Sequence, residues 1–133
     1  MTGLVAVVVS LVAAGSPPHV GHVHPPPALL RAEAGAAWMG YGSYCWRMHD
    51  RGRCEDYTDD YGGAPTLPLR EGETIRIDLG FRPRSIDVIV NGHGRHPLPA
   101  ARLLRWRVEG RPRELAVAAF TDDGSALYGV RAR

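Results

Sequence analysis

The chain has no lysine: all sixteen of its basic side chains are arginine. It also lacks a large charge of either sign. Fourteen acidic residues leave a formal net charge of +2, too small to mark a nucleic-acid-binding surface. No apolar run is long enough to span a bilayer. The longest, Leu4 to Ala14, falls well short of the roughly 20 residues that a transmembrane helix needs. No stretch after residue 36 keeps a helical period. Catalytic signatures are missing too. Beyond the first 35 residues the serines are Ser43, Ser85 and Ser125, none of them in Gly-x-Ser-x-Gly. There is no glycine-rich phosphate loop after a strand and no His-Glu-x-x-His. These absences point away from an enzyme and away from a cofactor.

What is present suits one exported domain. With 133 residues, 44% hydrophobic and 23% charged, the chain has room for a single modest core and is not compositionally disordered. The run Leu4–Ala14, followed by Ala13-Ala14-Gly15-Ser16, fits the core and cleavage region of a signal peptide over residues 1–15, although no basic residue precedes it. The expected location is secreted, cell-surface or periplasmic. No cysteine follows the run, so a lipid anchor is not indicated. Residues 16–35 open with a Pro/His-rich segment and are expected to be a linker, because dense proline forbids both helix and sheet ladders.

Residues 36–133 alternate in short strands. Thr74–Leu79 sends Ile75, Ile77 and Leu79 to one face, and Ser85–Val90 does the same with Ile86, Val88 and Val90. The short connection Gly80–Arg84 suggests that these two form a hairpin. A second hairpin is expected from Glu114–Thr121 and Ser125–Arg131, with Asp123-Gly124 supplying positive backbone angles in the turn. Leu115, Val117 and Ala119 then face Ala126, Tyr128 and Val130 in the core. Other candidates are Ala37–Tyr41, Ser43–Arg47, Arg53–Asp56, Thr66–Leu69 and Leu103–Val108. The expectation is an all-β fold, an immunoglobulin-like antiparallel β-sandwich of seven to nine short strands.

Cys45 and Cys54 are the only cysteines. Pairing Ser43–Arg47 with Arg53–Asp56 places them directly opposite each other, which suits a structural disulfide. A redox Cys-x-x-Cys or a zinc site would need a different spacing.

The motif Gly42-Ser-Tyr-Cys-Trp46, followed by Cys54-Glu-Asp56, resembles a group of small secreted bacterial domains. Glu71-Gly-Glu-Thr74 and Gly124-Ser-Ala-Leu-Tyr128 extend the likeness over residues 36–133. The resemblance implies an immunoglobulin-like sandwich on an exported or surface-anchored protein of unknown function. The missing lipid-anchor cysteine departs from the anchored members.

Four clusters carry candidate chemistry. Eight arginines from Arg82 to Arg113 meet only Asp87 and Glu109. Arg105 and Arg107 share one face of a strand around Trp106, with Arg102 just before it. Such a patch can hold phosphate or carboxylate on an anionic cell-surface polymer, a lipid headgroup or an acidic protein. The plainer alternative is that these arginines pair with the acidic stretch Glu55, Asp56, Asp59 and Asp60. That stretch, with Tyr57 and Tyr61, lacks an EF-hand spacing for calcium. His19, His22 and His24 can hold copper, nickel or zinc on a flexible tether. His93 and His96 lie in a segment that reads as a loop, and nothing local brings His49 to them. The best expectation is a non-enzymatic binding or structural module using the arginine face. A metal-handling protein using the linker histidines comes second, and an unrecognised hydrolase third.

Overall fold

The computed structural model describes residues 15–18, 23–48, 50–56 and 64–133. Eleven strands follow one another: β1 (Leu29–Ala32), β2 (Gly35–Trp38), β3 (Gly40–Met48), β4 (Arg51–Glu55), β5 (Thr66–Leu67), β6 (Thr74–Asp78), β7 (Ser85–Val90), β8 (Gly94–Leu98), β9 (Leu103–Arg107), β10 (Glu114–Phe120) and β11 (Ser125–Ala132). There is no helix among the described residues. The strands form two sheets. The smaller runs β2-β1-β6-β9; the larger runs β4-β3-β11-β10-β7-β8, with the two-residue β5 added in parallel at the end of β11. Every other pairing is antiparallel. The result is the all-β sandwich that the strand pattern predicts, with more strands than the seven to nine expected.

The core lies between the sheets. Leu30, Ile75, Ile77 and Leu104 come from the smaller sheet and face Ile86, Val88, Leu115, Val117 and Tyr128 from the larger. Each fully buried aliphatic side chain contributes about 1.5–3 kcal/mol over leaving it in water. The period-2 pattern of β6, β7, β10 and β11 is thus used as the sequence indicates, and the row of Ala126, Tyr128 and Val130 is buried as expected. In β3, Tyr41 and Tyr44 both point inward although three positions separate them. A bulge makes this possible: Tyr44 pairs with Ala126 and Tyr41 with Tyr128, so Gly42 and Ser43 together stand opposite Leu127.

Four expectations need correction. First, the folded region begins before residue 36. Ala28 and Leu30 are completely buried, and β1 and β2 pair as a hairpin inside the smaller sheet. Even the prolines ahead of β1 are fixed. The Tyr41 hydroxyl donates to the Pro25 carbonyl and the Tyr128 hydroxyl to the Pro26 carbonyl, both at 2.7 Å, and Met39 N donates to Ala28 O at 2.9 Å. Proline lacks an N–H for a ladder, but its carbonyl still needs a partner when covered, and tyrosines supply it.

Second, β6 and β7 are not a hairpin, because they belong to different sheets. The connection crosses the sandwich. Leu79 N bonds Arg102 O at 3.0 Å on one side, and Arg84 N bonds Phe120 O at 2.7 Å on the other. Phe81 packs edge-on against Trp46 with ring centroids 4.9 Å apart, and Pro83 is buried. An exposed turn would have had no use for a phenylalanine.

Third, the loop expected over residues 91–97 is a loop only over 91–93; residues 94–97 belong to a strand. Asn91 (φ 51°) and Gly92 (φ 79°) take positive angles in the three-residue turn 91–93, where His93 N bonds Val90 O at 3.3 Å, and β8 pairs with β7. The Asn91 side chain accepts from Arg113 N and Glu114 N at 2.8 and 3.2 Å, which fastens the turn to the start of β10. Pro97 is admissible because β8 is an edge strand.

Fourth, the β10–β11 hairpin forms in the expected register, but Asp123 and Gly124 do not take positive angles. Gly124 is needed for proximity instead: a Cβ there would run into the Cys45 carbonyl oxygen.

Candidate anion-binding face

The outer surface of the smaller sheet follows from simple alternation. In β1, Leu30 enters the core, so Leu29 and Arg31 face out. In β6, Ile75 and Ile77 enter, so Thr74, Arg76 and Asp78 face out. In β9, Leu104 enters, so Leu103, Arg105 and Arg107 face out. Register then decides which of these are neighbours. Arg31 stands opposite Arg76, and Arg76 stands opposite Arg105. Three guanidinium-bearing side chains therefore cross three consecutive strands in one row. Arg107 lies on the same face one row along, opposite Thr74.

These four arginines have no carboxylate within ion-pair distance among the described residues. Five others do: Arg53 with Glu55, Arg70 with Glu33, Arg84 with Asp122, Arg95 with Asp87, and Arg102 with Asp78. The pairing of the arginine-rich segment with the acidic stretch is absent among these. Glu55 pairs with Arg53, and Asp56 accepts a 2.8 Å hydrogen bond from the Ser43 hydroxyl. Asp59, Asp60, Tyr57 and Tyr61 lie outside the described residues. Like charges directly opposite each other in a sheet are destabilising. The row is thus a charge arrangement that the fold itself does not neutralise.

An apolar row runs beside it. Trp38, Leu29, Asp78 and Leu103 stand successively opposite one another across β2, β1, β6 and β9. Leu103 is 67% exposed, the highest value among the large hydrophobic side chains of the described residues. Trp38 donates its indole N–H to Gly15 O at 3.0 Å. Asp78 Oδ1 accepts from Gly80 N at 2.8 Å and from Arg102 Nε at 3.3 Å. Together Leu29, Arg31, Arg76, Asp78, Leu103 and Arg105 border a shallow hollow of about 460 Å³.

Of the sequence candidates, Arg105 and Arg107 lie on this face and Arg102 at its rim. Trp106 does not: it points the other way, half-buried against the core, with its ring 5.0 Å from that of His96. Alternation requires this, since Trp106 lies between two outward arginines. Sequence reading missed Arg31, which was assigned to the linker, and Arg76. The signal for Arg76 was its outward place between Ile75 and Ile77, but its neighbours depend on register.

The histidines are dispersed. His19, His22 and His49 lie outside the described residues. His24 Nδ1 bonds Pro25 O at 2.7 Å and its ring packs on Tyr41, so the strap of prolines uses it structurally. His93 is exposed, and His96 packs against Trp106 with the two rings tilted. No group of three or more potential metal ligands occurs among the described residues. Cys45 and Cys54 form the expected disulfide, exposed on the β3–β4 hairpin. Such a bond is compatible with an extracellular or periplasmic location. The Glu71-Gly-Glu-Thr74 motif is architectural: the buried Glu73 carboxylate accepts from Arg70 N at 2.6 Å and Glu33 N at 2.9 Å.

Comparison with protein-family models, with curated proteins and with solved structures gives no match. The geometry of the face is therefore what speaks to function.

Proposed function

We propose that the chain is an exported, non-enzymatic binding module, of the small secreted sandwich type its motifs resemble, which holds an anionic cell-surface polymer on the outer face of its four-stranded sheet. The observation that carries this reading is the register of Arg31, Arg76 and Arg105, three like charges in a row with no carboxylate partner among the described residues. A repulsive row is relieved when a ligand brings the counter-charge. Among the described residues the face holds one carboxylate, Asp78, whose Oδ1 accepts from Gly80 and Arg102.

The test is retention on immobilised anionic polymers at increasing salt. Exposed ion contacts are screened within about 10 Å at 0.1 M salt, so the wild type should elute progressively earlier as salt rises. Changing Arg31, Arg76 and Arg105 together to Gln should abolish retention. Arg111→Gln with Arg133→Gln removes charge from a separate hollow at one end of the sandwich, lined also by Leu69 and Pro112, and should leave retention nearly intact. Equal loss in both variants would overturn the assignment to this face.

A further inference from the structure

Resting on that reading, we propose that the polymer is an acidic glycan, a chain of uronic-acid rings lying across β1, β6 and β9 with carboxylates on Arg31, Arg76 and Arg105. Three features of the face favour sugar over a bare polyanion. Neighbouring strands lie about 4.8 Å apart, so the row offers one guanidinium per step of that length. This is close to the length of one pyranose ring along an extended glycan, and longer than the step between phosphates in a polyphosphate chain. Each guanidinium can also take a carboxylate through two parallel hydrogen bonds.

The apolar row is the second feature. Leu29 and Leu103 run parallel to the arginines and border the same hollow. A pyranose ring presents C–H faces that bury against such side chains, whereas a phosphate chain has no apolar surface to offer them. Leu103 in particular lies in water without a protein partner to cover it.

The third is Asp78, placed between Leu29 and Leu103. Its carboxylate accepts two hydrogen bonds from the protein and keeps lone pairs for more. Sugar hydroxyls are donors and suit it. A polyphosphate has only acceptors and would be repelled. At the end of the arginine row, Ala36 stands opposite Arg31, small enough to let a chain continue past the sheet edge.

The experiment titrates the intact protein with oligogalacturonates of increasing length, with polyphosphate matched in charge, and with phosphatidylglycerol vesicles, by calorimetry and by amide chemical shifts. The expected result is uronate binding that tightens with length and levels off once the chain spans the three strands, with shifts confined to β1, β6 and β9. Leu103→Ser, which removes the apolar contact without adding charge, should weaken uronate binding about tenfold or more, equivalent to about 1.4 kcal/mol, and leave any residual polyphosphate binding unchanged. Arg76→Gln should weaken both. Polyphosphate binding as tight as uronate, or insensitivity of uronate binding to Leu103→Ser, would overturn the glycan while leaving a polyanion face in place. Uptake by the vesicles alone would overturn it in favour of a membrane surface. No binding to any of the three would remove the proposed function itself.

Discussion

Arg76 has an arginine on either side of it in the sheet, and that position sets two properties against each other. Replacing it with threonine removes two like-charge contacts and adds a good strand former, so stability should rise by about 0.5 kcal/mol at low salt. The gain should shrink as salt screens the row, and polymer retention should fall in the same variant. Denaturant midpoints at two salt concentrations check this; a loss of stability at low salt would mean that the row is neutralised within the fold. Some of this was legible from the residues themselves. Outward placement of Arg105 and Arg107 followed from Leu104 and Trp106 between and beside them, and inward placement of Trp106 was implied by the same alternation. Arg31 was hidden because the prolines before it suggested a linker, whereas the chain becomes a strand only two residues after Pro27.

Among the elements, the β3–β4 hairpin depends most on its crosslink. Every residue of β4 is exposed or half-buried, so hydrophobic packing contributes little to holding it. Closing so short a loop with Cys45–Cys54 contributes about 2–3 kcal/mol on the chain-entropy model. The Cys45→Ser, Cys54→Ser double variant should therefore show faster amide exchange over Arg51–Glu55 while protection in β10 changes much less. Equal loosening of β10 would show that the bond supports the whole sandwich. The pairing of the two cysteines was readable from strand spacing alone. The turns were harder. Asp123-Gly124 and Asn91-Gly92 offer the same kind of signal, yet only the second uses positive φ. Gly124 answers to the carbonyl of Cys45, a long-range neighbour that no local pattern announces. The β6–β7 connection misled for a related reason. A five-residue link with Gly and Pro looks like a turn until Phe81 and Pro83 are given an interior to occupy.

At the scale of the whole molecule, the proline strap joins the beginning of the described core to its end. Tyr128 on β11 is fully buried, and burial, with Tyr41 beside it, pushes its hydroxyl well above the usual tyrosine range. The folded state therefore favours the protonated phenol. Its contribution is complete below the unfolded tyrosine value of about 10 and declines as pH rises beyond that value. Stability measured from pH 8 to 11 should fall above pH 10. In Tyr128→Phe that alkaline slope should be reduced, with a loss of about 1–3 kcal/mol at neutral pH because Pro26 O loses its donor. An unchanged slope would mean that another group governs alkaline unfolding. The fold class was legible because the buried faces of β6, β7, β10 and β11 repeat every second residue. Sheet membership was not, because a period of two says which face is buried and nothing about which strand lies alongside.

That sheet order bears on how the molecule is made. Of the strands described, β11 comes last in the chain, yet in the larger sheet it lies between β3 and β10. A ribosome working from the amino terminus delivers the keystone after the stones it joins. Until then β3 and β4 can meet only each other, the tyrosine that fastens Pro26 is still to come, and the larger sheet stays in two pieces, β4-β3 and β10-β7-β8.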